Sequence, residues 1–82
     1  MIPIQDILNR IRWDENFGTG NFLIGYEDRM AGKIITVSFQ KILFPPGDHF
    51  FIQVVSSDQE RISIPYHRIR QVWKNGVIIW QR

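Results

Sequence analysis

Apolar residues along this chain change their period once, near residue 22. Before that point Ile4, Ile7, Leu8 and Ile11 fall at i, i+3, i+4 and i+7, which places them on one stripe of a short helix. Pro3 suits the first turn, where no N–H is needed. Asp6 near the start and Arg10 and Arg12 near the end complement the helix dipole. Asn16-Phe17-Gly18-Thr19-Gly20-Asn21 is rich in turn-tolerant residues and reads as a loop. From there on the period is two. Phe22, Ile24 and Tyr26 share a face. After a Met30-Ala31-Gly32 turn, Ile35, Val37 and Phe39 do the same, while Thr36, Ser38 and Gln40 point away. Pro45-Pro46-Gly47-Asp48 ends the pairing, since proline cannot donate to a ladder. Strands resume over 50–55 and from Arg61 to Ile64, separated by the polar turn Ser56-Ser57-Asp58-Gln59-Glu60.

The last pair of strands carries the clearest local signal. Asn75-Gly76 between apolar runs is the preferred type I′ pair, because both central positions need positive φ. A regular ladder then sets Lys74 opposite Val77, Trp73 opposite Ile78, Gln71 opposite Trp80 and Ile69 opposite Arg82. One face of this hairpin carries His67, Ile69, Gln71, Trp73, Ile78, Trp80 and Arg82, and the other carries Arg68, Arg70, Val72, Lys74, Val77, Ile79 and Gln81. The predicted fold class is α+β, a single domain over residues 1–82: a short N-terminal helix packed on a mostly antiparallel sheet of about five strands ending in the Asn-Gly hairpin.

Composition narrows the function classes. An apolar fraction of 44% suffices for a small core, unlike that of a disordered chain. With no cysteine, disulfide stapling, thiolate metal sites and thiol catalysis are excluded. The N-terminus lacks a signal-peptide pattern and no apolar run approaches the ~20 residues of a bilayer span, so a cytoplasmic protein with no membrane association is expected. Charge is strongly asymmetric. Residues 1–60 hold five Lys/Arg against eight Asp/Glu, and residues 61–82 hold five against none. The same segment contains Tyr66, His67, Trp73 and Trp80, and interleaved cations and rings suit phosphate and stacked bases.

Each candidate has a plainer structural reading beside the functional one. Arg68, Arg70 and Lys74, two or four residues apart on one strand, line up either as a phosphate site or as a solvated edge. His67 can donate to a phosphate oxygen, act as a base, or satisfy backbone groups. Trp13, Trp73, Trp80, Tyr26 and Tyr66 are stacking platforms or core, and Trp73 and Trp80, on one predicted face with Ile69 and Ile78, favour core. Asp14 and Asp28 are acid–base candidates or turn closers. His49 and His67 have no third ligand at metal spacing, so neither a metal nor another cofactor is expected.

Four motifs in order go further: Ile11-Arg12-Trp13-Asp14, Tyr26-Glu27-Asp28-Arg29, Ile64-Pro65-Tyr66-His67-Arg68-Ile69-Arg70 and Gly76-Val77-Ile78-Ile79-Trp80-Gln81-Arg82. Together they resemble the small archaeal family described as the RNA cyclic-group end recognition domain. The resemblance implies RNA binding at termini bearing a 2′,3′-cyclic phosphate, with RNA as partner and RNA-processing enzymes as associates. By position it implies contacts from Arg12, Trp13 and Asp14, from Tyr26, Asp28 and Arg29, from His67, Arg68 and Arg70, and from Trp80 and Arg82. Where the last motif is expected to carry an acid before its final arginine, this chain has Gln81. No catalytic residue is assigned. The rivals are a protein-interaction module using the basic hairpin and a cyclic phosphodiesterase using His67 with Asp14 or Asp28.

Overall fold

The computed structural model describes residues 2–47 and 50–82. Asp48 and His49, the end of the predicted proline turn and one of the two imidazoles, lie outside the described residues. Helix α1 spans Ile4–Trp13, with Pro3 at its N-cap and Ile4, Ile7, Leu8 and Ile11 buried. The strands are β1 (Phe22–Asp28), β2 (Lys33–Ser38), β3 (Ile42–Leu43), β4 (Phe51–Val55), β5 (Arg61–Pro65), β6 (Ile69–Lys74) and β7 (Val77–Gln81). Short 3-10 turns, Phe39–Lys41 and Tyr66–Arg68, precede β3 and β6.

The strands form two antiparallel sheets where the sequence pattern predicts one of about five strands. The larger has the order β2-β1-β6-β7 and the smaller β3-β4-β5. The difference arises at residues 39–43. Phe39 leaves the β2 alternation for a 3-10 turn, where Gln40 N donates to the Ser38 hydroxyl, and the chain re-enters extended structure for two residues to pair with β4. A two-residue strand is too short to show a period. The helix and both sheets bury one apolar cluster, in which Leu8, Ile24, Ile52, Ile69 and Val72 are the largest fully buried side chains.

Two β-bulges reset the faces of the large sheet. Gly25 pairs with Gln71 but Tyr26 pairs with Ile69, so Arg70 is an extra residue in β6. Trp73 pairs with Ile78 but Val72 pairs with Trp80, so Ile79 is an extra residue in β7. Each bulge inverts the alternation beyond it. Ile69, Val72 and Trp80 therefore all face the core, and Gln71 opposes Gln81 instead of Trp80. Trp73 does the reverse of what its sequence position suggests. It crosses to the outer face, where its Cζ3 and Cη2 atoms lie 2.9 and 3.1 Å from the place a Cβ on Gly25 would occupy. Only glycine lets the indole settle over β1 at that point.

The β6–β7 turn has Asn75 at φ 51° and Gly76 at φ 82°. It also anchors the 14–21 loop: Asn75 N donates to Asn21 O at 2.7 Å, and Asn21 N donates to Asn75 Oδ1 at 2.9 Å.

Candidate functional site

The register of β1 decides which charges meet. Asp28, its last residue, pairs with Lys33, so the 29–32 turn and the start of β2 lie at this end of the large sheet. Tyr26 pairs with Ile69, so the Tyr66–Arg68 turn, running into β6, reaches the same end. Arg82 arrives from β7, its backbone N–H donating to Arg70 O at 3.0 Å. Arg29, Lys33, His67, Arg68, Arg70 and Arg82 thus come from three separate chain segments to one sheet end, where Glu27 and Asp28 are the acids on β1. A cavity of about 390 Å³ opens there, lined by Glu27, Gly32, Lys33, Ile34, Arg70, Gln71 and Arg82. Three cations against one carboxylate leave its wall net positive.

The side chains are held from behind. Arg70 Nη2 donates to Glu27 Oε2 at 2.8 Å, and both side chains remain about half exposed. That bond fixes one arm of the guanidinium fork and leaves the other N–H groups available. Arg82 donates through Nε to Ile69 O at 3.0 Å and through Nη2 to Tyr66 O at 2.7 Å, which ties the 3-10 turn to the C-terminal strand. Three of its five N–H groups have no role in that clamp. Arg68 is half-buried, and its Nε is buried without a hydrogen-bond partner among the described residues. His67 is exposed on the same turn, and Arg29 is exposed on the β1–β2 turn.

The predicted row of Arg68, Arg70 and Lys74 does not exist as a row. Arg68 sits in a turn, Arg70 in a bulge, and Lys74 at the opposite end of the sheet, beside Phe22. Phe22 and Asp28 are the two ends of a seven-residue strand, about 20 Å apart at the usual rise. Lys74 Nζ donates to Phe17 O at 2.8 Å and lies over the Phe17 and Phe22 rings, so it secures the 14–21 loop.

The first motif faces other cavities. Arg12 stacks over Phe44 at 4.0 Å and over Trp13 at 4.8 Å. It lines a cleft of about 290 Å³ with Gln5, Asn9, Tyr66 and the Phe44-Pro45-Pro46-Gly47 segment. Trp13, at 71% exposure, borders a shallow groove with Asp6, Asn9, Arg10 and Asp14. Two of the predicted contact residues have no free ring face. Trp80 is 6% exposed and its indole N–H donates to Ile2 O at 2.6 Å, which pins the helix N-terminus to β7. Tyr26 is 8% exposed with its ring in the core. The burial of Trp80 agrees with its core reading, and the second bulge separates it from Trp73 and Ile78, which face outward.

The two aspartates singled out as acid–base candidates close turns. Asp14 Oδ1 accepts from Asn16 N and Phe17 N, both at 3.1 Å. Asp28 Oδ1 accepts from Met30 N at 2.9 Å and Ala31 N at 3.2 Å, shaping the turn that carries Arg29. Among the described residues, no three His, Cys, Asp or Glu side chains gather as a metal site, and no helix is long and apolar enough to cross a membrane. Lys33, Glu27 and Gln71 were not singled out from the sequence. Glu27 stands inside the second motif without an assigned role, and only the β1–β2 and β1–β6 registers bring the three residues to the cavity.

Burial raises the Tyr26 hydroxyl above its ordinary pKa of 10.0, with the nearby Asp28 carboxylate adding to the effect. A raised value in the folded state favours folding fully below pH 10, and this contribution is lost as pH rises through the folded-state pKa. Tyr26→Phe is expected to leave stability near pH 7 almost unchanged and to flatten the alkaline loss. Urea midpoints measured between about pH 8 and 11 check this; parallel curves for both proteins would refute it.

This α+β domain collects guanidinium, ammonium and imidazole groups at one end of a sheet, donors of the kind that suit an anionic group such as a phosphate. Over its whole length, residues 1–82, the chain matches the MJ1316 RNA cyclic group end recognition domain and belongs to that family. No curated protein and no solved structure matched the chain.

Proposed function

We propose that this domain binds RNA at a terminus carrying a 2′,3′-cyclic phosphate and holds it without reacting. The observation that carries the reading is the cavity at the Asp28 end of the large sheet, with Lys33, Arg70 and Arg82 in its wall. Family membership supplies the ligand class: an RNA end bearing a cyclic group. A cyclic phosphodiester has one negative charge and two non-bridging oxygens. The free arm of Arg70, oriented by Glu27, takes one oxygen, and Arg82 or Lys33 takes the other. His67, Arg68 and Arg29, on the turns at the same sheet end, draw in the phosphates that precede the terminus. Asp28 acts through its turn, positioning Arg29. Arg12, Trp13 and Asp14 belong to a separate contact with the body of the RNA, while Tyr26 and Trp80 hold the sheet in shape.

A short RNA with a 2′,3′-cyclic phosphate and the same RNA with a 3′-hydroxyl separate this reading from general RNA binding. The cyclic end is expected to bind about tenfold tighter or better, a difference of about 1.4 kcal/mol, and both affinities fall as salt rises. Equal affinities would refute end recognition. Conversion of the cyclic end to a monophosphate during hours of incubation would refute binding without chemistry.

A further inference from the structure

We infer that the outer face of the four-stranded sheet is a stacking platform for the nucleotide next to the bound terminus, with Trp73 as the ring that receives its base; this rests on the reading of the cavity as the end pocket. The face is ordered in rows across the strands. Ser38, Leu23, Trp73 and Ile78 form one row through direct pairing, and Thr36, Gly25, Gln71 and Gln81 form the next. Ile34, Glu27 and the bulged Arg70 follow at the cavity. Passing from the Phe22 end to the Asp28 end, the surface therefore changes from apolar to amide to charged.

Four features point to RNA bases as the occupant. Leu23, Ile34 and Ile78 are 39%, 40% and 39% exposed around a half-buried indole, which leaves an apolar patch uncovered on the outer face of the large sheet. The patch is continuous with the cation-lined cavity, since Ile34 touches the Gly25 position beneath the indole and also lines the cavity. The indole's benzo edge leans over Gly25 towards Ile34 and so towards the cavity. Gly25 lies about 7 Å along β1 from Glu27 at the cavity, two residues at the usual rise, a gap that one nucleotide step can bridge. An apolar ring beside convergent cations is the surface that single-stranded RNA uses, because every base has a stacking face and every link a negative charge. Gln71, between ring and cavity, is placed to meet a base edge. An apolar protein partner needs no such cationic margin.

The test compares a 2′,3′-cyclic mononucleotide, a trinucleotide carrying the same end and that trinucleotide with a 3′-hydroxyl, in the wild type, Trp73→Leu and Trp73→Tyr. The wild type is expected to prefer the trinucleotide by about tenfold or more. In Trp73→Leu that preference falls below about threefold, and Trp73→Tyr restores most of it by restoring an aromatic face. Should Trp73→Leu not fold, Ile78→Glu, at an exposed position, is expected to reduce the same preference by placing a negative charge beside the base. A length preference unchanged by these substitutions, or absent in the wild type, overturns the platform and leaves the end pocket standing. Loss of discrimination between cyclic and hydroxyl ends, with the Trp73-dependent preference intact, overturns the end pocket and leaves the platform standing. Sedimentation showing a dimer that Trp73→Leu dissociates would overturn the platform in favour of an interface between two copies.

Discussion

Arg70→Ala is expected to weaken binding of a cyclic-phosphate RNA end by about ten- to a hundredfold while leaving the fold almost as stable as before. The two effects separate because the two partners of Arg70 differ. Its bond to Glu27 joins side chains that are about half exposed. Exposed ion pairs contribute about 0–1 kcal/mol, because water screens them and ordering two long side chains costs entropy. A charge-assisted hydrogen bond to a bound anion contributes about 1.5–3 kcal/mol, since its loss leaves the phosphate oxygen underserved in a walled site. Arg70→Lys keeps the charge and loses the fork, so its expected loss is intermediate. Titration calorimetry beside a urea melt reads both quantities. A fall in stability of several kcal/mol with binding intact would reverse the assignment and make Arg70 a structural residue.

Trp80→Ala is expected to have the largest effect on stability. The ring is 6% exposed within the apolar core cluster, and its indole N–H holds the backbone just before the helix. Truncating a buried aromatic costs about 3–5 kcal/mol in lost transfer energy and cavity formation. A domain of this size has about 5–15 kcal/mol to lose, and each kcal/mol moves its melting temperature by about 4–8 °C. A drop of about 15 °C or more is expected. Trp80→Phe retains most of the ring volume and loses the bond to Ile2 O, so it should cost about 1–2 kcal/mol. A shift of only a few degrees for Trp80→Ala would mean that the helix docks without this ring.

Much of the fold is legible in the sequence because local periods are dictated by burial. The i, i+3, i+4, i+7 stripe of α1 and the alternation Phe22, Ile24, Tyr26 of β1 appear in the structure as written. What local periods cannot carry is the register between strands. A bulge adds one residue to one strand, and its sequence cost is nearly invisible: Arg70 and Ile79 look like ordinary members of their runs. Yet those two residues decide that Trp80 is core, that Trp73 is surface, and that Arg70 leaves the line of Lys74. The candidate site shows the same division. His67, Arg68 and Arg70 are neighbours in the chain and stay together in space, whereas Lys33 reaches them only through the pairing of Asp28 with Lys33. The turn-closing roles of Asp14 and Asp28 follow from ordinary aspartate chemistry, which the plainer reading of those residues anticipated.

The proposed seat of the cyclic phosphate, the cationic end of the large sheet, is open to direct test. Titrating isotope-labelled protein with a 2′,3′-cyclic nucleotide, and separately with the matching nucleoside, locates that seat residue by residue through amide and guanidinium resonances. Saturable shifts are expected at Gly32, Lys33, Arg70, Gln71 and Arg82 with the cyclic nucleotide only. Shifts gathered at Gln5, Asn9, Arg12 and Phe44, with the sheet end silent, would contradict the account and move the seat to the cleft beside the helix.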